Sequence, residues 1–243
     1  MVRIIGHRGA SDDAPENTIA SINQAFKQGA DGIEIDIRLT KDQKIVCLHD
    51  RNTLRTTGQS LILKDTEYQT IKNLDAGSWI AERWKNEPIP LLEEVIEVLP
   101  SNKEIFIEVK TGVEIINPLI SLILSSNLKK DNISIISFND SVIKEIKSLL
   151  PEVTGNLLIA FDPSHNEKEL PKLLSTTGAD GVGAQNHPKL NKNFVKTIKN
   201  LKKDVHVWTV NDEEEAKEYQ LLGLSSITTN KPKIIKDYLL TSK

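Results

Sequence analysis

The sequence predicts an α/β fold: a (β/α)8 TIM barrel with an extra β-hairpin strand and a small insertion after its second barrel strand. Three observations predict it. Strand-like and helix-like segments alternate along the chain with near regularity, which favours a parallel sheet covered by helices. The length, 243 residues with 38% hydrophobic content, suits a single barrel of about 250 residues. Charged residues interrupt the ends of otherwise apolar strands, and barrels of this kind build their sites at the C-terminal strand ends.

The strands read as Arg3 to His7, Gly32 to Arg38, Glu104 to Val109, Ile133 to Phe138, Asn156 to Phe161, Gly181 to Gln185, His206 to Val210 and Ser226 to Thr229. The helical patterns that follow them are Thr18 to Gln28, Leu91 to Leu99, Glu114 to Ser126, Ser141 to Leu150, Glu167 to Thr176, Asn191 to Leu201, Asp212 to Leu222 and Pro232 to Leu240. Gly29, Pro100, Pro151, Gly178 and Gly223 fall where elements change, so they punctuate one domain over 1–243 instead of separating two. Between the second strand and its helix, Arg51 to Pro90 is irregular and rich in Thr, Asp, Lys and Asn. It carries Trp79 and Trp84, more aromatic weight than a solvated linker holds, and so predicts a small packed subdomain or a lid over the barrel mouth.

The stretch Ile33 to Asp50, IEIDIRLTKDQKIVCLHD, organises the rest. Residues two apart on a strand share a face, so Glu34 and Asp36 stand together while Ile33, Ile35 and Ile37 fill the other side. Ile45 to His49 follows too soon for a parallel crossover and must form an antiparallel hairpin. A four-residue loop, Lys41 to Lys44, is the expected one; it would pair Asp36 with His49, whereas a three-residue loop would press Leu48 against the acids. Two carboxylates in one site favour a cation between them, and hard oxygen ligands suit magnesium or calcium.

Composition excludes several classes. A net charge of -3 with both signs mixed gives no steering field for nucleic acid and no basic membrane face. The lone cysteine, Cys47, permits no internal disulfide, fits a reducing compartment and reads as a strand-core residue. The apolar run in MVRIIGHRG is shorter than a signal-peptide core, and Leu119 to Leu124 is too short to span a bilayer. A cytoplasmic, soluble protein is the expectation.

At the level of the strand ends stand His7, Arg8 and Gly9 on the first strand, Glu34 and Asp36 on the second, and Glu108 and Lys110 on the third. So many charges on apolar strands require partners or a coordinated ion. The other histidines lack such a setting. His206 opens a strand and is expected to be remote, while His187 follows the sixth strand and is a candidate to approach the mouth; His165 has no evident role.

The motifs HRGA at His7 to Ala10, PENT at Pro15 to Thr18, GADGIEIDIRLTKD at Gly29 to Asp42 and HD at His49 and Asp50 resemble the signature of the glycerophosphodiester phosphodiesterase family. RTTG at Arg55 to Gly58, the stretch Ile89 to Glu94, EVK at Glu108 to Lys110, SF at Ser137 and Phe138, and WTVN at Trp208 to Asn211 extend the resemblance over nearly the whole chain. It implies that Glu34, Asp36 and Glu108 ligate one divalent cation, Mg2+ or Ca2+ with Mn2+ also suitable, and that His7 and His49 are the general acid and base. Arg8 and Lys110 match phosphate-associated positions, which agrees with a phosphodiester's need for cationic donors. Trp208 matches an aromatic against the glycerol moiety. Gln43 stands where Gly is common, and Ser225, Ser226 and Asn230 replace an Asp-Gly pair and an Asp; these changes are read as lying outside the metal and acid–base set.

The resemblance implies hydrolysis of a small-molecule glycerophosphodiester to glycerol 3-phosphate and an alcohol. Two other readings compete: a lysophospholipid phosphodiesterase, which would need an exposed apolar rim, and a non-catalytic polyol-phosphate-binding module, whose mark would be a lost histidine or carboxylate. No such loss occurs here.

Overall fold

The computed structural model describes residues 2–161 and 169–242. Nine strands and ten α-helices occur among them: β1 Arg3–His7, α1 Ile19–Lys27, β2 Gly32–Leu39, β3 Ile45–Cys47, α2 Leu54–Thr57, α3 Tyr68–Ile71, α4 Leu92–Val98, β4 Glu104–Val109, α5 Ile116–Ser125, β5 Ile133–Ser137, α6 Asp140–Leu149, β6 Thr154–Ile159, α7 Leu170–Thr177, β7 Gly181–Gln185, α8 Lys192–Asn200, β8 Asp204–Trp208, α9 Glu213–Leu221, β9 Ser226–Thr229 and α10 Pro232–Thr241. The sheet order β1-β9-β8-β7-β6-β5-β4-β2 closes through the β1–β2 pairing, every pair in the ring is parallel, and β3 hangs antiparallel on β2. This is the expected (β/α)8 barrel with its extra strand. The start of the helix expected from Glu167, and His165, lie outside the described residues.

Strand alternation divides the core. Ile33, Ile35 and Ile37 face the helices and pack into one large cluster, whereas Ile5, Phe106, Ile136 and Leu158 fill the barrel interior. The helices start where short polar side chains cap them: Thr18 with Ser21 in a capping box at α1, Asn139 at α6, Asn191 at α8 and Asp212 at α9.

The hairpin corrects the expected register. Ile37 pairs with Cys47, Arg38 with Val46 and Leu39 with Ile45, so the loop is the three-residue Lys41–Asp42–Gln43 and Leu48 lies opposite Asp36. Two physical reasons favour it. Gln43 sits at φ 61, the left-handed position that closes a three-residue hairpin loop, which explains why glycine suits this position. Val46 and Leu48 fill a separate cluster with Leu63, Ile71, Leu74, Ala76, Ile89 and Leu91, and a one-residue slip would turn both out of it. That cluster makes the insertion a packed unit, built from aliphatic side chains; Trp79 is 42% exposed and lies outside it, its indole N–H donating to the Ala76 carbonyl at 2.8 Å.

A second shift concerns β8, expected over His206 to Val210 and found over Asp204–Trp208. Asp204 pairs with Gly181, Val205 and Val207 face outward, and His206 stands in mid-strand with its side chain in the barrel interior.

Candidate active site

Parallel pairing brings the charged residues together. His7 is level with Glu34 across β1 and β2, and Asp36 is level with Glu108 across β2 and β4. Glu34, Asp36 and Glu108 each offer an oxygen within 4.8 Å of the others'. Asp36 is fully buried, Glu34 is 2% exposed and the Glu108 side chain is 12% exposed.

The surroundings give the three acids different charges. Burial, reinforced by Asp36 and Glu108, pushes the Glu34 carboxyl well above the usual carboxylate range, and burial together with Asp36 raises Glu108 to about 7. Asp36 is buried too, but Arg8, Lys110, His49 and Asn17 outweigh that penalty and hold it below the ordinary value. Lys110 Nζ lies 2.6 Å from Glu108 Oε1 and 3.3 Å from Asp36 Oδ1, and Arg8 Nε lies 3.0 Å from Asp36 Oδ2. Glu34 Oε1 and Asp36 Oδ1 have no hydrogen-bond partner despite their burial. Hard oxygens that converge, two of them without a hydrogen bond, and that resist ionising together are what a divalent cation requires, so the residues present fit one.

Both histidines are held at Nδ1. His7 Nδ1 bonds Asn230 Oδ1 at 2.7 Å, and its Nε2 lies 3.9 Å from Glu34 Oε2. Burial, with Arg8 adding to it, lowers the His7 pKa to about 4. His49 does not pair with Asp36 in the hairpin; it follows the strand, where Arg38 Nε donates to its carbonyl at 2.8 Å and its Nδ1 lies 2.7 Å from Asp50 Oδ1. His49 still lies near enough to Asp36 to act on that carboxyl electrostatically. Asp50 is in turn bound by Arg55 at 2.7 Å, Arg55 by Glu16, and Glu16 by Arg8, so one chain of ion pairs runs from the His49 support to the residue that follows His7.

Local backbone aims these groups. Arg8 adopts φ 55, which turns its N–H onto Glu34 Oε2 at 3.0 Å, a conformation that costs an L-residue roughly 1–2 kcal/mol. Gly9 follows at φ 84, and a Cβ there would lie 2.4 Å from Ser21 Oγ. Trp208 lines a cavity of about 30 Å³ shared with His7, Glu34 and Glu108; its Nε1 donates to the Gly183 carbonyl at 2.9 Å and its ring meets Phe138 edge-on at 5.5 Å.

All eight residues singled out from the sequence thus converge on one mouth. The sequence reading missed others. Asn230 holds His7 and so stands beside a residue expected to act in acid–base chemistry, although the sequence places it outside that set. Asn17 and Asp50 sit inside the quoted motifs PENT and HD, and their neighbours there were the available signal. His206 is not remote: with Asn156 it lines the floor of the same cavity, and Asn156 Oδ1, Asn156 Nδ2 and His206 Nε2 are buried without partners. His187 stacks on Phe161 at 5.2 Å and does not line this cavity.

A parallel barrel with a buried carboxylate triad beside paired cations and oriented histidines is the framework of a barrel hydrolase. The comparisons make the assignment specific. The profile of the glycerophosphoryl diester phosphodiesterase family matches residues 7–234, and the chain belongs to that family. It is 34% identical to YhdW of Bacillus subtilis over 96% of this chain and 97% of that protein. It is 31% identical to a glycerophosphodiester phosphodiesterase of Caldanaerobacter subterraneus, over 96% and 95% of the two. An Oleispira antarctica phosphodiesterase, solved in complex with the product sn-glycerol-3-phosphate, superposes with a TM-score of 0.89 at 29% identity, covering 98% of this chain and 97% of that one. The chain is an enzyme of this family. No helix among the described residues is long and apolar enough to cross a membrane.

Proposed function

We propose that the chain hydrolyses glycerophosphodiesters to glycerol 3-phosphate and an alcohol, using one divalent cation and two histidines. The observation that carries this reading is that two histidines, each anchored at Nδ1 by its own side-chain partner, stand by one carboxylate triad, His7 with Nε2 3.9 Å from Glu34 and His49 near enough to act on Asp36 electrostatically. Glu34, Asp36 and Glu108 would hold magnesium, calcium or manganese, which when bound polarises a phosphoryl oxygen and offsets developing negative charge. Arg8 and Lys110 supply cationic donors to the phosphate, and Trp208 packs against the glycerol. One histidine takes a proton from the attacking oxygen at Nε2, and the other gives a proton to the departing alkoxide as its bond to phosphorus breaks.

The test is turnover of glycerophosphocholine, with released glycerol 3-phosphate as the readout. Chelator should abolish it and added divalent ion restore it, and His7→Ala and His49→Ala should each cost roughly 10²- to 10⁴-fold. With a nitrophenyl leaving group the variant lacking the general acid should regain much of its rate. Full activity of metal-stripped protein would overturn the metal assignment, and near-normal rates in both variants would overturn the acid–base scheme. A lysophospholipid substrate is the second reading, favoured by the exposed apolar side chains Leu54, Ile62 and Trp79 on the insertion and Phe138 on the barrel. Turnover of dispersed lysophosphatidylcholine above that of glycerophosphocholine would establish it.

A further inference from the structure

Next to the compact cavity beneath Trp208 lies an open cleft of about 550 Å³, and the two meet at Glu108. A tetrahedral phosphodiester directs its two alcohols away from each other. If the glycerol moiety packs against Trp208 at the opening of the smaller cavity, the phosphate sits over the carboxylate triad and the second alcohol enters the cleft.

The cleft has a charge that the hydrolysis does not use. Lys110 at its inner end is paired with Glu108 and Asp36. Farther out, Arg38, Arg51 and Lys64 line it, with Glu114 the acid among them. Arg38 gives two of its five N–H groups to the carbonyls of His49 and Lys110, and among the described residues no carboxylate lies within ion-pairing distance of Arg38, Arg51 or Lys64. Glu114 turns back on the loop and accepts from the Gly112 N–H at 2.9 Å. Arg38, Arg51 and Lys64 thus line one cleft as a cluster of cations. Such clusters are favourable only when an anion completes them.

We propose that this cleft binds the leaving alcohol and selects one that carries its own negative charge, with Arg51 and Lys64 as the selecting residues. The inference rests on the phosphodiesterase reading and names the substrate class within it. An alcohol ending in a phosphate monoester fits the cationic wall, a neutral polyol fits less well, and a quaternary ammonium group is opposed by it. Ile62 and Phe138 flank the charges and leave room for a short aliphatic stem.

The experiment compares kcat/KM for three substrates followed by phosphorus NMR with magnesium present: glycerophosphoglycerol phosphate, glycerophosphoglycerol and glycerophosphocholine. The order should be as written, with the charged substrate preferred over the neutral polyol by roughly tenfold at low salt and less in 0.5 M salt, a concentration that shortens the screening length to about 4 Å. In Arg51→Gln/Lys64→Gln that ratio should approach one, whereas in Lys196→Gln, an exposed cation on α8, it should stay at the wild-type value. Hydrolysis of all three substrates with no preference, or with choline preferred, overturns the proposal and leaves the phosphodiesterase reading standing. An unchanged ratio in a folded double variant overturns the assignment to Arg51 and Lys64. Absence of hydrolysis of any of the three overturns the phosphodiesterase reading, and the proposal falls with it.

Discussion

Asn17 grips Asp36 at both ends: its Nδ2 donates to Asp36 Oδ2 at 2.8 Å, and its Oδ1 accepts from the Asp36 N–H at 3.0 Å. It does so from φ 59, a left-handed conformation that Asn tolerates better than other non-glycine residues. Asn17→Gly keeps the backbone and removes both bonds, so divalent-ion affinity should fall about 10- to 100-fold, and stability should fall by roughly 1–3 kcal/mol for the buried groups left unpaired. Asn17→Ala should lose the same affinity and roughly a further 1 kcal/mol of stability. Calorimetric titration and thermal melts distinguish the two. Wild-type affinity in Asn17→Gly would mean that the strands alone hold Asp36.

Asp50 should matter nearly as much as the histidine it holds. Its Oδ1 lies 2.7 Å from His49 Nδ1, and Arg55 anchors the carboxylate from behind. An amide in its place removes the negative charge beside the ring, and because Arg55 can donate only to its oxygen, its NH2 is turned toward His49 Nδ1. Asp50→Asn is therefore expected to lower kcat by about 10²-fold or more with KM little changed, measured by steady-state kinetics.

Metal and pH should act on stability together. Glu108 titrates at about 7 in the folded state, against an ordinary value of 4.5. Its folded pKa is raised, so in chelator its contribution is full below about 4.5 and is lost as pH rises through about 7. Magnesium should remove most of that loss by holding the ionised carboxylate. Lys110→Met deepens it, because Glu108 and Asp36 lose their shared cation. Melts at pH 5 and pH 8 should show the variant less stable than wild type in chelator at the higher pH, close to wild type in magnesium, and poorly active in both. Normal activity would mark Lys110 as a structural ion pair.

His206 makes a separate contribution on the acid side. Burial lowers its pKa to about 4 from 6.5, so the unfolded chain binds a proton there before the folded one does. Stability is lost as pH falls from about 6.5 to about 4, by about 3 kcal/mol for this one group. His206→Gln cannot take up that proton. Its stability, followed by urea unfolding, should decline less steeply over this range than that of wild type. Identical slopes would show that the buried imidazole gains its proton without unfolding.

Much of the fold was readable because local periodicity and global topology coincide. Ile33, Ile35 and Ile37 alternate with Glu34 and Asp36, and period two on a parallel strand allows only one face for each set. The chemistry was readable for the same reason: carboxylates at equivalent levels of β2 and β4 must meet when those strands pair. Motifs such as HRGA and HD made the grouping specific, since their residue types are costly in a core unless a site uses them.

By itself the sequence determined the barrel and the extra strand, because strand alternation and pairing act over a few residues, and its motifs named the eight residues that meet at the mouth. Only the tertiary structure decided what depends on contacts between distant segments. Leu48, and not His49, stands opposite Asp36, since the insertion's aliphatic core claims Val46 and Leu48. Asn230 reaches His7 across 223 positions of sequence only when β9 closes against β1. His206 points inward because β8 begins at Asp204 to match Gly181 on β7. In each case side chains far apart in sequence compete for one volume, and local pattern carries no information about which of them fills it.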